Sequence, residues 1–473
     1  MKIKWSPMKL LWLAALGSVA FTPPVGARCM DELNGEPIAR NASRAGAKGA
    51  PSITPLPASE PVAMPEFPLD PQTQLQVLAR EASRRSAEVG SAQLLAEAAS
   101  YDLAETRADR LPQVTVSGQI GPGGSAVGGR TVSKGNQSTL TLSMTAPLYD
   151  GGWQRQLTRW REHLAGAAKF GAAVTQEQVV LEAITMALER NRYRLQAQVY
   201  QQFMRKMSCL RDALEGIVAE DKGRTSELVQ VRKTQAQTEL QRDAALAQSR
   251  QIEFRLRKLI GDQVTPGDGI TVPLAVIPEI GEINRQIEFG NEAQQLRAQA
   301  EGLDNYAKAV VAGQRPQVNW AVSKAEGVQG RTHTASWHAG VTVSYSLFNG
   351  FSDKAASQAA VKRAESARLQ LAGLLATKFA KTSEVYDIAT ESIDRAKRYV
   401  EILRDSERVR NFTFQQWSQM GRRSLFDVMS AESEHFNLRI AYVNALHDSF
   451  VASAQLRSMG AGLSVWLMPD QKL

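Results

Sequence analysis

The chain repeats itself. RLPQV, carrying Pro112, returns as QRPQV with Pro316; APLYDGG over 146–152 returns as YSLFNGF over 345–351; and GRTSELV from Gly223 returns as GRRSLFDV from Gly421. The three landmarks keep their order and lie 204, 199 and 198 residues apart, counted from Pro112 to Pro316, Leu148 to Leu347 and Gly223 to Gly421. Chance seldom arranges this, so one structural plan must be built twice from this sequence. The copies span 72–262 and 291–460, with a linker over 263–290 and a short C-terminal segment over 461–473.

Within each copy the pattern reads helix, two strands, long helix, shorter helix. The strands fall at 112–122 and 137–149 in the first copy and at 316–325 and 335–348 in the second. Val114, Val116, Gly118 and Ile120 alternate with Gln113, Thr115, Ser117 and Gln119, and Leu140, Leu142 and Met144 alternate with Thr139, Thr141 and Ser143. Val318, Trp320 and Val322, then Trp337, Ala339, Val341, Val343, Tyr345 and Leu347, continue the same period of two. Strands of about ten residues, apolar on one face and small and polar on the other, match a tilted membrane-spanning barrel wall. Four strands cannot close a barrel, and an open sheet edge in lipid leaves backbone groups unsatisfied, so other copies must supply the rest. Three copies give twelve strands. Two soluble hairpins packed on helices are the plainer reading of the same pattern.

The helical tracts weigh against hairpins alone. No proline occurs between Pro147 and Pro266 or between Pro316 and Pro469, so helices can run over 152–221 and 352–420. Each would be ~105 Å long at ~1.5 Å per residue. Flanking helices over 72–109 and 225–260 are about half that length. Their apolar residues form a narrow seam with three- and four-residue steps, as in coiled coils. Aromatic residues make up only 7% of the chain, which suits rods with thin apolar stripes better than bulky globular cores.

The N-terminus reads as a secretory signal over 1–27, with Lys2, Lys4 and Lys9 before an apolar run and small residues at its end. A Pro- and Ala-rich tail follows over 28–71. Arg28 precedes Cys29 where an acylation signal needs a small residue, so the N-terminus is read as non-acylated. Cys29 and Cys209 are the only cysteines; they allow one disulfide at most, and two unrelated thiols is the favoured reading. The formal charge of +8 drops to about +5 without the signal lysines, and the remaining basic residues are interleaved with acidic ones. Nothing marks nucleic-acid binding. Walker, H-E-x-x-H and paired-cysteine motifs are absent, and the five histidines are dispersed, with His338 in a strand and His435 and His447 on a helix as surface or interface residues. No enzyme, metal or cofactor is expected.

These residues resemble the TolC-type outer-membrane factor family, through RLPQV and QRPQV, PLYDGG and SLFNGF, and above all GRRSLFDVMSAESEHFNLRIAYVNA from Gly421. The likeness covers about 72–465. It implies an α+β membrane protein: a homotrimer with a twelve-stranded outer-membrane β-barrel, four strands per chain, continuing into a periplasmic α-helical coiled-coil barrel. The linker and C-terminal segment would form an equatorial region. The family's entrance is gated at the turns between long and short helices. The ring aspartate falls on Asp427 and a network arginine on Arg423. A second ring aspartate would fall on Ser430, a network tyrosine on Ser418 and the first-repeat aspartate on Val229, all departures; Glu227, beside Arg224, can carry charge instead. The turn motifs at Gly223 and at Gly421, Ser424 and Leu425 would meet a periplasmic adaptor. Their wording looks like members serving type I secretion, where an inner-membrane ABC transporter drives an unfolded substrate through the duct. A proton-driven drug or metal efflux pump is the runner-up engine. A trimeric coiled-coil adhesin is the rival from another class, although adhesins usually carry one C-terminal anchor rather than strand pairs inside each repeat.

Overall fold

The computed structural model describes residues 70–128, 130–262, 270–330, 332–418 and 420–468; the signal reading over 1–27 and nearly all of the tail reading lie outside the described residues. Helices α1 (Pro71–Arg85) and α2 (Ala87–Ala108) precede strands β1 (Gln113–Val127) and β2 (Arg130–Tyr149), then α3 (Trp153–Glu220) and α4 (Thr225–Ile260). After the short α5 (Ile280–Ile287), the order recurs as α6 (Asn291–Gly313), β3 (Gln317–Gln329), β4 (Thr332–Ser344), α7 (Ser352–Ser418) and α8 (Leu425–Met459), closing with α9 (Leu463–Leu467). Among the described residues no helix is long and apolar enough to cross a membrane.

Local chemistry explains the boundaries. Pro71 opens α1, where a missing N–H costs nothing, and Asp70 accepts a hydrogen bond from the Gln72 amide at 3.2 Å. The single helix expected over 72–109 is broken at Ser86, whose ψ of 120° stops α1 while its hydroxyl accepts from the Val89 amide and starts α2. Asp150 takes the amides of Gly152 and Gln154 at 2.9 and 2.6 Å and so turns β2 into α3. Gly151 there has φ 64°, and an added Cβ would lie 2.7 Å from the Cβ of Arg315, which also donates to the Gly151 carbonyl. In the second copy Phe351 stands in place of the second glycine and still adopts a left-handed φ of 69°, a conformation costly for a side chain of its size.

The described residues fall into two compact units, one formed by 193–248 and 397–443, the other by 70–192, 249–396 and 444–468. The larger holds an antiparallel sheet in the order β1-β2-β3-β4. Its register sets Val114 opposite Met144 and Val116 opposite Leu142, then Met144 opposite Val322, and Trp320 opposite Val341. Facing residues share a side of the sheet, so the apolar residues make one continuous face. Thr115, Ser143, Ser323 and His338 line up on the other side, with a 2.6 Å bond between the Thr115 and Ser143 hydroxyls. The strands differ from the expected segments at their ends. β3 runs past Val322 and places Lys324 and Glu326 on the apolar side, paired at 2.8 Å, while β4 ends at Ser344, before Tyr345 and Leu347.

Away from the sheet, this unit's core joins Leu75 and Leu78 of α1, Ile184 and Leu188 of α3, Ile260 of α4 and Leu467 of α9. Glu177 of α3 accepts the Leu463 and Ser464 amides at 2.6 and 3.0 Å, fixing the five-residue α9 that could not stand alone. The smaller unit is entirely helical. Phe203, Met207, Leu210 and Leu214 of α3 recur at three- and four-residue steps and pack with Leu228 and Val231 of α4, Phe414 of α7 and Phe436 of α8. The rings of Phe203 and Phe436 stack with centroids 4.8 Å apart.

Candidate functional site

Two helix-to-helix turns in the smaller unit carry the residues singled out in the sequence. Between α3 and α4, Asp221 accepts the Gly223 amide at 2.9 Å and shapes a short 3₁₀ turn over Lys222–Arg224. Arg224 pairs with Glu227 at 2.8 Å one helical turn on, with Glu227 the more buried partner. Val229, at the position of the family's aspartate, is well exposed.

Between α7 and α8 the chain reverses through Gly421, at φ 59°, and the Arg422 amide bonds to the Gln416 carbonyl. Ser424 and Asp427 then form a reciprocal cap. The Asp427 carboxylate accepts the Ser424 amide and hydroxyl, each at 3.0 Å, and the Ser424 hydroxyl accepts the Asp427 amide at 3.2 Å. The Ser424 amide chiefly, with its hydroxyl and the nearby Arg423 charge, holds the Asp427 carboxyl below the ordinary value of 3.8. Asp427 is therefore ionised under ordinary conditions. Arg423 itself donates to Gln416 Oε1 at 3.2 Å rather than bonding to Asp427.

The structure thus brings together Arg224 with Glu227 and Ser424 with Asp427, and leaves Ser430 exposed on α8. Leu425 is 1% exposed within the core of this unit, so its side chain cannot present itself to an adaptor. Its hydrophobic period, Leu425, Val428 and Met429, already marks it as a core position of α8.

Two further expectations are corrected. Cys209 is disulfide-bonded and no free cysteine occurs among the described residues, against the reading of two separate thiols; Cys29 lies outside the described residues. His435 and His447 are 7% and 3% exposed, which removes the surface alternative and leaves the interface one, because α8 is buried on more than the one face its apolar residues suggest. Beside His435, three charged side chains that sequence reasoning passed over, Lys206, Arg410 and Glu432, are buried together.

The apolar side of the sheet is the other candidate functional surface. Val114, Val116, Leu142, Trp337 and Val341 are all more than half exposed, and β1 and β4 are open edges. Nothing among the described residues covers them.

No family model matches the chain, and no curated protein matches it. Solved structures do. CusC, studied for folding and transmembrane channel formation, is 15% identical over 82% of this chain and 92% of its own, with a TM-score of 0.73. The outer membrane protein VceC of Vibrio cholerae is 17% identical over 83% of this chain and 97% of its own, with a TM-score of 0.70. The CmeC outer membrane channel of Campylobacter jejuni is 12% identical over 87% of this chain and 95% of its own, also at 0.70. At these identities the likeness shows the fold.

Proposed function

We propose, on the premise that this chain has the fold of a TolC-type outer-membrane factor, that it is one of three identical subunits of an outer-membrane exit duct reaching into the periplasm. The observation that carries this reading is the sheet: four strands, two open edges and an uncovered apolar face. Lipid satisfies neither edge, so an isolated sheet of this kind is not a viable membrane structure. Three copies joined edge to edge satisfy every strand, turn the apolar face to lipid and the Thr115–Ser143 side to a watery lumen. The long helices then form the periplasmic part, with a signal over 1–27 delivering the chain.

The duct is passive. It works with a periplasmic adaptor and an inner-membrane engine, and the wording of the turns at Gly223 and Gly421 favours type I secretion, with an ABC transporter driving a protein substrate. Protein extracted in detergent and left unheated is expected to run as a trimer by light scattering and to form conducting pores in planar bilayers. A stable monomer that keeps its β-sheet signal overturns the architecture. Crosslinking in cells from an exposed position of the Gly421 turn identifies the adaptor and, through it, the engine; a proton-driven pump recovered there replaces the type I assignment and leaves the duct standing.

A further inference from the structure

Glu432 of α8 is 1% exposed in its side chain, yet it faces two cations. Lys206 Nζ of α3 lies 3.3 Å from one carboxylate oxygen and Arg410 Nη1 of α7 lies 3.8 Å from the other, with Lys206 and Arg410 only 4% and 7% exposed. Lys206 also sits over the Phe414 ring at 4.4 Å. The triad is embedded in the aromatic and aliphatic core of the smaller unit and joins three helices: the long helix of each repeat and the short helix of the second.

Its bonding is incomplete. Neither oxygen of Glu432 nor the Nε of Arg410 makes a hydrogen bond of good geometry. Burial raises the Glu432 carboxyl and lowers the Lys206 ammonium from their ordinary values, despite their mutual attraction. His435 and Arg439 of α8 and Glu407 of α7 are the other charged or titratable groups beside the triad. Buried ion groups with unfilled hydrogen-bonding capacity are poor sources of stability; well-packed apolar side chains in their place commonly hold helices together better. A second carboxylate of α8, Asp448, likewise faces a cation from each long helix, Arg192 at 3.3 Å and Arg395 at 3.9 Å, but these side chains are 31–43% exposed. Water already solvates that pairing, so little changes for it when the helices part.

We propose that the buried Lys206–Glu432–Arg410 triad is a release joint, which holds α8 to both long helices in the shut duct and eases their separation because all three charges recover water when they part. This rests on the duct reading. Apolar packing at the same place would hold the helices shut more firmly, so stability and opening should move in opposite directions. A purely structural role predicts that heat resistance changes while opening does not.

The experiment compares full-length trimers of the parent, Glu432→Gln, Asp448→Asn and the triple variant Lys206→Met, Glu432→Leu, Arg410→Met. Heat resistance of the trimer and single-channel open probability are measured on the same preparations. The triple variant is expected to be at least as heat-resistant as the parent and to open about tenfold less often. Glu432→Gln, which strands two buried cations, should be less heat-resistant and open more often, and Asp448→Asn should gate like the parent. A triple variant that opens as often as the parent overturns the proposal. If the triple variant does not assemble, Glu432→Gln decides, and unchanged opening there overturns it equally. Absence of any pore in the parent refutes instead the duct reading on which the joint depends.

Discussion

At the scale of single residues, Asp427 serves as a helix cap as well as a candidate pore charge, and the two roles need different substitutions to separate them. Alanine removes both. An asparagine side chain keeps an acceptor for the Ser424 amide while losing the charge, so Asp427→Asn is expected to fold normally and to lower cation preference in single-channel recordings; unchanged selectivity removes Asp427 from the pore lining. Because the Ser424 amide holds the carboxyl below 3.8, the charge and the cap contribution persist above that value and disappear only as pH falls through the lower folded value. Selectivity at pH 5 should therefore equal that at pH 7. His435 behaves oppositely. Burial, then the charges of Arg410 and Arg439, push its imidazole down to about 4 from 6.5, so the unfolded chain takes up the proton first. Stability is full above about 6.5 and declines as pH falls from there toward 4, by an amount on the order of 3 kcal/mol. His435→Gln should flatten that decline in thermal unfolding followed against pH, and an identical profile places the acid sensitivity elsewhere. The turn residues were legible in the sequence because a glycine followed by S-x-x-D has a local mechanism. Lys206, Arg410 and Glu432 were not, since charged residues occur all round these helices and only the packing of three of them decides which become buried.

At the scale of elements, the alternation in β1 to β4 carries a prediction that depends on both register and side. Leu142 stands opposite Val116, and Val341 opposite Trp320, on the apolar face, whereas Ser143 stands opposite Thr115 on the polar one. Arg at Val341 should cost about 2 to 4 kcal/mol near the bilayer midplane and less at Leu142, which also stands opposite Lys324, while Arg at Ser143 should be tolerated. Folding into vesicles titrated with denaturant measures this, and equal tolerance on both faces means the inside and outside are wrongly assigned. The Lys324–Glu326 pair on the apolar side marks where lipid contact must end along β3, since neither charge is stable deep in hydrocarbon. The period of two and the absence of proline made strands and long helices readable, because each is a property of one segment. The break at Ser86 and the end of β4 at Ser344 were not readable. Both are set by a balance between a segment's own preference and neighbours distant in sequence: Ser86 has good helix formers on either side, and Tyr345 and Leu347 continue the strand pattern beyond the last paired residue.

At the scale of the whole molecule, the bond at Cys209 would tie a long stretch of chain together with Cys29 as its partner. Cys209 is disulfide-bonded, and Cys29 is the other cysteine of the sequence, so the linkage expected is between Cys29 and α3. Sequence alone favoured separate thiols because a cysteine in a Pro- and Ala-rich tail gives no hint of a fixed partner. Closing a loop of about 180 residues restricts the unfolded chain far more than the folded one, and the chain-entropy relation puts the resulting stabilisation near 5 kcal/mol as an upper figure. Formation requires export to an oxidising compartment, where an oxidant carrying its own disulfide accepts the two electrons and two protons of the thiols. Proteolysis without reductant should release one linked peptide containing Cys29 and Cys209, which separates into two on reduction. Reduction of the intact protein should lower its unfolding temperature, and Cys209→Ser should lower it to the same extent and make reductant irrelevant. Two alkylatable thiols in the unreduced protein, or a bond between two copies of Cys209, would contradict the linkage. Either result would return the N-terminal segment to the independent tail that its composition suggests.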